Sequence, residues 1–191
     1  MKSVGFTLAE TLVVVSIIIV AGLLLMGVVV NFTGISVTQS SKVSQGVNVN
    51  DSFMKIREAV KSASAIASSY PESGSPIYTS SSTQLVLKLP AIDSSGNIIE
   101  ASFDYFVFVV ESSSLLFKIF PNAFSSRTAQ NQVLTTALDS LLFQYFDNSI
   151  PPQEVVPNLS SKIRTTINLR QKIGIDYQTS IATSEANLRN D

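Results

Sequence analysis

Between Thr11 and Ser41 the chain carries no charged residue. Its first part, Thr11 to Val30, is twenty residues of Leu, Val, Ile, Ala, Met and Gly with two hydroxyls. Wound as a helix, twenty such residues span about 30 Å, the thickness of the hydrocarbon core of a bilayer. A cleavable secretory signal has an apolar region of only about 7–15 residues, closed by a small-residue site. Here the run is longer, and Ala21-Gly22 lies inside it. The chain has no cysteine, which excludes a lipid-modified cysteine anchor. The expectation is one transmembrane helix, with Lys2 held inside and the long C-terminal part translocated.

Composition removes most catalytic chemistry. Without Cys or His there is no disulfide, no thiolate or imidazole metal site, and no thiol nucleophile or His-based triad. Thirteen Lys and Arg against fourteen Asp and Glu leave no positive excess for a phosphate backbone, so no nucleic-acid partner is expected. Polarity is carried by hydroxyls: thirty residues are serine, about twice an ordinary share, which leans towards a secreted or envelope protein.

One acidic residue interrupts the N-terminal pattern. Glu10 stands at the start of the span, where a carboxylate costs up to about 2.5–3.5 kcal/mol as it nears the bilayer centre. It either lies at headgroup level or has a partner. Its neighbours bear on that choice. Gly5-Phe6-Thr7-Leu8-Ala9-Glu10, after a five-residue leader with one positive charge, resembles the cleavage and methylation motif of type IV prepilins and type II secretion pseudopilins. The resemblance implies that a membrane-embedded prepilin peptidase cuts after Gly5 and methylates the new N-terminal Phe6. It also implies an assembly role for Glu10, neutralising the Phe6 ammonium of a neighbouring subunit or of its own helix. Its partners would be the peptidase, other subunits through their N-terminal helices, and an inner-membrane assembly platform.

Beyond Val30 the chain turns hydroxyl-rich, with Gly34 and Gly46 as weak points of a helix. Phe53, Ile56, Val60, Ala63 and Ala67 then recur in steps of three and four, an amphipathic stripe. Asp51 with Lys55 and Glu58 with Lys61 have the spacing of helix-surface ion pairs. Pro71, Gly74 and Pro76 are expected to end the helix, which would run from Phe6 to about Ser69. From Ile77 the period becomes two. Leu85, Leu87 and Leu89 alternate with Gln84, Val86 and Lys88, and Asp93-Ser94-Ser95-Gly96-Asn97 makes a turn. Phe103 to Val110, apolar on both faces, reads as a central strand, in an expected hairpin with Leu115 to Phe120. Leu141 to Phe146 and Ile163 to Leu169 continue the pattern, and a polar stretch near Asp176 to Leu188 suits an edge. Gln132 to Ser140 fits helix or strand.

The expected fold is α+β: a long N-terminal helix packed on an antiparallel sheet of four to six strands, pilin-like in outline. The segments are a leader over 1–5, a membrane and assembly helix over 6–30, its amphipathic continuation over 31–70, and a head over 71–191. Leu141 to Asp147, Lys162 to Leu169 and Leu188-Arg189-Asn190 look like the closing pattern of J-type minor pseudopilins and related minor pilins. Gly27 stands where many major pilins carry a kinking proline, and the disulfide that often closes their C-terminal loop is impossible here.

Asp104, Glu111, Asp139 and Asp147 lie in or beside expected strands, but no spacing brings two into one site. The Asp93 turn lacks the spaced carboxylates of a calcium loop. No enzyme, cofactor or metal is expected. The resemblance implies a structural minor pilin or pseudopilin, at the cell membrane and then in a fibre. The alternatives are a major pilin and a single-pass anchored protein whose head binds a partner.

Overall fold

The computed structural model describes residues 7–75, 77–173 and 176–189. It contains one helix, α1 (Leu8–Ser62), followed by strands, so the α+β expectation holds at that level. The chain divides into two compact units, Met1–Val43 and Ser44–Asp191.

In the first unit the helix is apolar and uncovered. Leu8–Ser36 is long and apolar enough to cross a membrane, and none of its most apolar window is buried by its own chain. Its hydroxyls do not compete with that character. Thr11, Ser16 and Thr33 donate to the carbonyls of Leu8, Leu12 and Val29, at 2.9, 2.9 and 2.8 Å, so each donor is spent inside the helix. The helix also runs through Gly34 and Gly46.

In the second unit the last turns of α1 form a wall of the core. Val49, Phe53, Ile56, Ala59, Val60 and Ala63 are buried, as the three-and-four spacing predicts for most of them. The expected extension to Ser69 does not occur, and Pro71 is not what stops the helix. Ser64 instead donates its N–H to the carbonyl of Lys88 at 3.0 Å. A short strand β1 (Ala65–Ile66) then pairs antiparallel with β4 (Leu85–Ile92), Ala65 opposite Lys88. Sheet pairing overrides the helical period, and Ala67 packs away from the helix stripe. The two expected surface ion pairs are absent from the salt bridges of the described residues. Lys55 lies instead 5.1 Å from the centre of the Phe117 ring.

The remaining strands are β2 (Ser69–Tyr70), β3 (Tyr78–Thr79), β5 (Ile98–Glu111), β6 (Ser114–Phe120), β7 (Gln130–Thr135), β8 (Leu138–Phe146), β9 (Lys162–Ile173) and β10 (Asp176–Asn187). They form three sheets rather than one of four to six strands: β1-β4-β5-β6-β7, β10-β9-β8, and the small pair β2-β3. The expected central strand is β5, in the middle of the larger sheet, and the ambiguous stretch resolves into β7 and the start of β8.

The larger sheet is buried on both faces. Leu85, Leu87, Leu89, Phe108, Leu115 and Phe117 join the helix wall and the inner residues of the smaller sheet in the main core. Val86, Val107, Val109 and Leu116 face the other way, under Ala67, Tyr70 and Tyr78. The two large sheets are tied by Tyr145, whose hydroxyl is shared between the carbonyls of Ser81 and Gln84 at 2.8 and 3.0 Å. Burial pushes that phenol's pKa up, so it stays a donor.

Candidate functional site

Gly5 and Phe6, the expected cleavage position and methylated residue, lie outside the described residues. Glu10 is described, and its surroundings are specific. It sits in the first turn of α1 and its Oε2 accepts two hydrogen bonds from Thr7, one from the backbone N–H and one from the hydroxyl, both 2.9 Å. Thr7 Oγ1 in turn accepts the Glu10 N–H at 3.3 Å. This is a reciprocal capping box: the residue before the helix and the third residue inside it satisfy each other's orphan donors. The signal was the Thr-x-x-Glu spacing of Thr7-Leu8-Ala9-Glu10, which the reading of Glu10 as a partner for an ammonium passed over. The box occupies one carboxylate oxygen. Oε1 has no hydrogen bond among the described residues.

Further along, Gly22 and Gly27 have open space where a Cβ would stand, with no atom within 4 Å. Neither glycine is needed for packing within this chain. Leu12, Ile17, Leu24 and Val28 are each more than 60% exposed, which for apolar side chains requires cover from outside the chain.

The four carboxylates considered for chemistry are separated into different structural tasks. Asp104 is fully buried, accepting from the Asn122 N–H at 2.7 Å, the Ser125 hydroxyl at 2.8 Å and the Arg127 guanidinium, which also donates to the carbonyl of Pro90. It fastens the loop after β6 onto β5, and no sequence signal linked it to Arg127. Glu111 pairs with Lys118 across the β5–β6 hairpin. Asp147 closes the turn after β8, accepting from Ser149 and from the Gln153 N–H; the Ser149 hydroxyl first, then that N–H, hold its carboxyl below the usual range. Asp139 lies where the β8–β9 register shifts, and it lines an open hollow with Arg170 and Tyr177. The Asp93 turn is as expected: its carboxylate accepts from the N–H groups of Ser95 and Asn97 at 2.8 and 2.9 Å. Among the described residues no three acidic side chains gather as a metal would require.

Compared with known protein families, curated proteins and solved structures, the chain matches none. The functional reading therefore rests on the helix and its N-terminal box.

Proposed function

We propose that this chain is a minor pilin or pseudopilin. In this reading a prepilin peptidase removes the leader after Gly5. The apolar part of α1 then holds the protein in the cell membrane, and assembly moves that helix into a bundle of like helices. The observation that supports this most is the uncovered span, Leu8–Ser36, headed by a self-capped acidic residue. A helix with no cover from its own chain is solvated by lipid or by neighbouring helices, and small residues such as Ala9, Ser16, Gly22 and Gly27 permit close helix approach. Oε1 of Glu10, which has no hydrogen bond among the described residues, suits an ammonium partner while the box stays closed.

A single-pass anchored binding protein satisfies the same span with lipid alone, and the mature N-terminus separates the two. N-methylated Phe6 by mass spectrometry is the expected result. An intact Met1 overturns the fibre reading.

Glu10→Gln isolates the charge. A glutamine at the third helical position still closes a capping box, so folding and membrane insertion are retained. Packing into a dry bundle, however, would strand a neighbour's ammonium. Removing one member of a buried charge pair costs about 3–5 kcal/mol, a loss of incorporation of about two orders of magnitude or more. Co-purification with fibre components at equal membrane abundance measures it, and equal recovery refutes the pairing.

A further inference from the structure

The chain as a whole has no positive excess, but its fold creates a local one. Arg57 and Lys61, on the last turns of α1, meet Lys162 of β9 and Glu185, Ala186 and Asn187 of β10 around a hollow of about 390 Å³. Arg164 stands beside it, opposite Glu185 in the β9–β10 ladder. Four of the thirteen Lys and Arg therefore gather about one carboxylate. The balanced composition hides this, because the four come from two distant stretches of the chain.

That carboxylate is already spent. One oxygen of Glu185 accepts from Arg164 at 2.7 Å, and the other pairs with Lys162. Arg57 finds a neutral partner, donating to the Ser184 hydroxyl at 3.0 Å. Lys61 forms no ion pair among the described residues. Glu58, the nearest acid along the helix, lines a separate hollow with Lys55, Phe106 and Phe117. Arg57 and Lys61 are four residues apart, a spacing at which like charges on a helix repel. The helix C-terminus accounts for Lys61, since the last carbonyls favour a cation, but that effect fades within one turn and leaves Arg57 without a counter-charge. A local rule broken with no compensation inside the chain marks a place where something outside supplies the gain.

We propose that this hollow binds a phosphate group. Three cations and one carboxylate line it, a net of two positive charges. A phosphate monoester, at about −1.5 to −2, neutralises that excess, and a single carboxylate does not. The donors suit the same ligand. The planar fork of Arg57 matches two phosphate oxygens, while Lys61 and Lys162 act as point charges on the remainder. The bond to Ser184 uses one of five guanidinium donors and holds the group in place. The hollow is of small-molecule size rather than that of a bare ion. Its ligand is therefore a phosphate monoester on a polar body, either a soluble organic phosphate or a lipid headgroup ending in phosphate. The site lies wholly within the second unit and stands whether or not the chain enters a fibre.

Glycerol phosphate is the probe, titrated by calorimetry against the full-length chain in phosphatidylcholine nanodiscs. Saturable binding is expected. The double variant Arg57→Gln, Lys61→Gln should weaken it by about tenfold or more, and each single variant by part of that. All four side chains of the comparison are exposed, so an unchanged thermal midpoint is expected to show that the fold is kept. Arg170→Gln removes an exposed guanidinium elsewhere on the head and should leave the affinity unchanged. Nanodiscs containing phosphatidic acid, compared with phosphatidylglycerol at equal surface charge, separate the two sources. Competition by phosphatidic acid alone assigns the site to a lipid headgroup, and undiminished binding assigns it to a soluble ester. Absence of saturable binding overturns the proposal. So does a loss as large in Arg170→Gln as in the double variant, or saturation by a polyglutamate peptide with none by glycerol phosphate, which assigns the hollow to an acidic protein segment.

Discussion

Asp104 shows how much of this head rests on single polar residues. Its carboxylate is fully buried yet accepts bonds from a backbone N–H, a hydroxyl and a guanidinium. Asp104→Ala takes the carboxylate from the partly buried Arg127, from Ser125 and from the Asn122 N–H, and frees the loop after β6. The expected loss is about 3–5 kcal/mol, read as a shift of the denaturation midpoint with an unchanged slope. Exposed carboxylates act through pH instead. Asp93 is held below its ordinary value of 3.8 by the Asn97 N–H and side chain, and Glu185 below 4.5 by Lys162 and then Arg164; Asp147 is depressed as described. A lowered folded-state pKa contributes stability that is present above the unfolded value and lost as pH falls through the folded one. The thermal midpoint of the detergent-solubilised chain should therefore drop as pH falls below about 4.5. The triple variant Asp93→Asn, Asp147→Asn, Glu185→Gln should show a shallower drop; an identical profile refutes these three as its source.

At the scale of elements, the β5–β6 hairpin turns through Ser112 and Ser113, both at positive φ, 49° and 60°. Two left-handed central residues define the type I′ turn, for which Asn-Gly is the preferred pair. Replacing Ser112-Ser113 by Asn-Gly is expected to stabilise the head by about 1 kcal/mol, because asparagine and glycine take the left-handed conformation at less cost than serine, measured by chemical denaturation; a loss of stability would mean that the serines have another task. This hairpin also marks what the sequence made legible. Its two strands were readable because Phe103 to Val110 and Leu115 to Phe120 are apolar runs flanking a polar connection. The early end of α1 was not readable. The stripe continues to Ala67, and only the distant backbone of Lys88 and Leu87 draws Ala65 and Ile66 into a sheet. The division into separate sheets was hidden for the same reason, since strand pairing is a long-range fact. At the candidate site, the Thr7–Glu10 box was written in plain four-residue spacing. The Asp104–Arg127 pair, twenty-three residues apart, was not.

For the whole molecule, the wall from Val49 to Ala63 and the strands that face it form one core. Deleting residues 1–43 removes the apolar span and keeps that wall, so the fragment is expected to be soluble and cooperatively folded. Deleting residues 1–71 also strips the wall and uncovers Leu85, Leu87, Phe108 and Phe117, so that fragment should aggregate. Size-exclusion chromatography compares the two, and a soluble, cooperatively unfolding 72–191 fragment refutes the helix as part of the core. The same core sets a schedule for synthesis. Its first contributor is Val49 and its last is Leu188, which is strapped to Ser161 by a backbone bond. Contacts between such distant residues close slowly, because the intervening chain must first be ordered. The N-terminal span leaves the ribosome long before β9 and β10 exist, so the apolar surface that Ile163, Ile167, Leu169 and Leu188 cover waits unmatched. The interval before Leu188 arrives is when the nascent head is most exposed to proteases and most in need of a holdase.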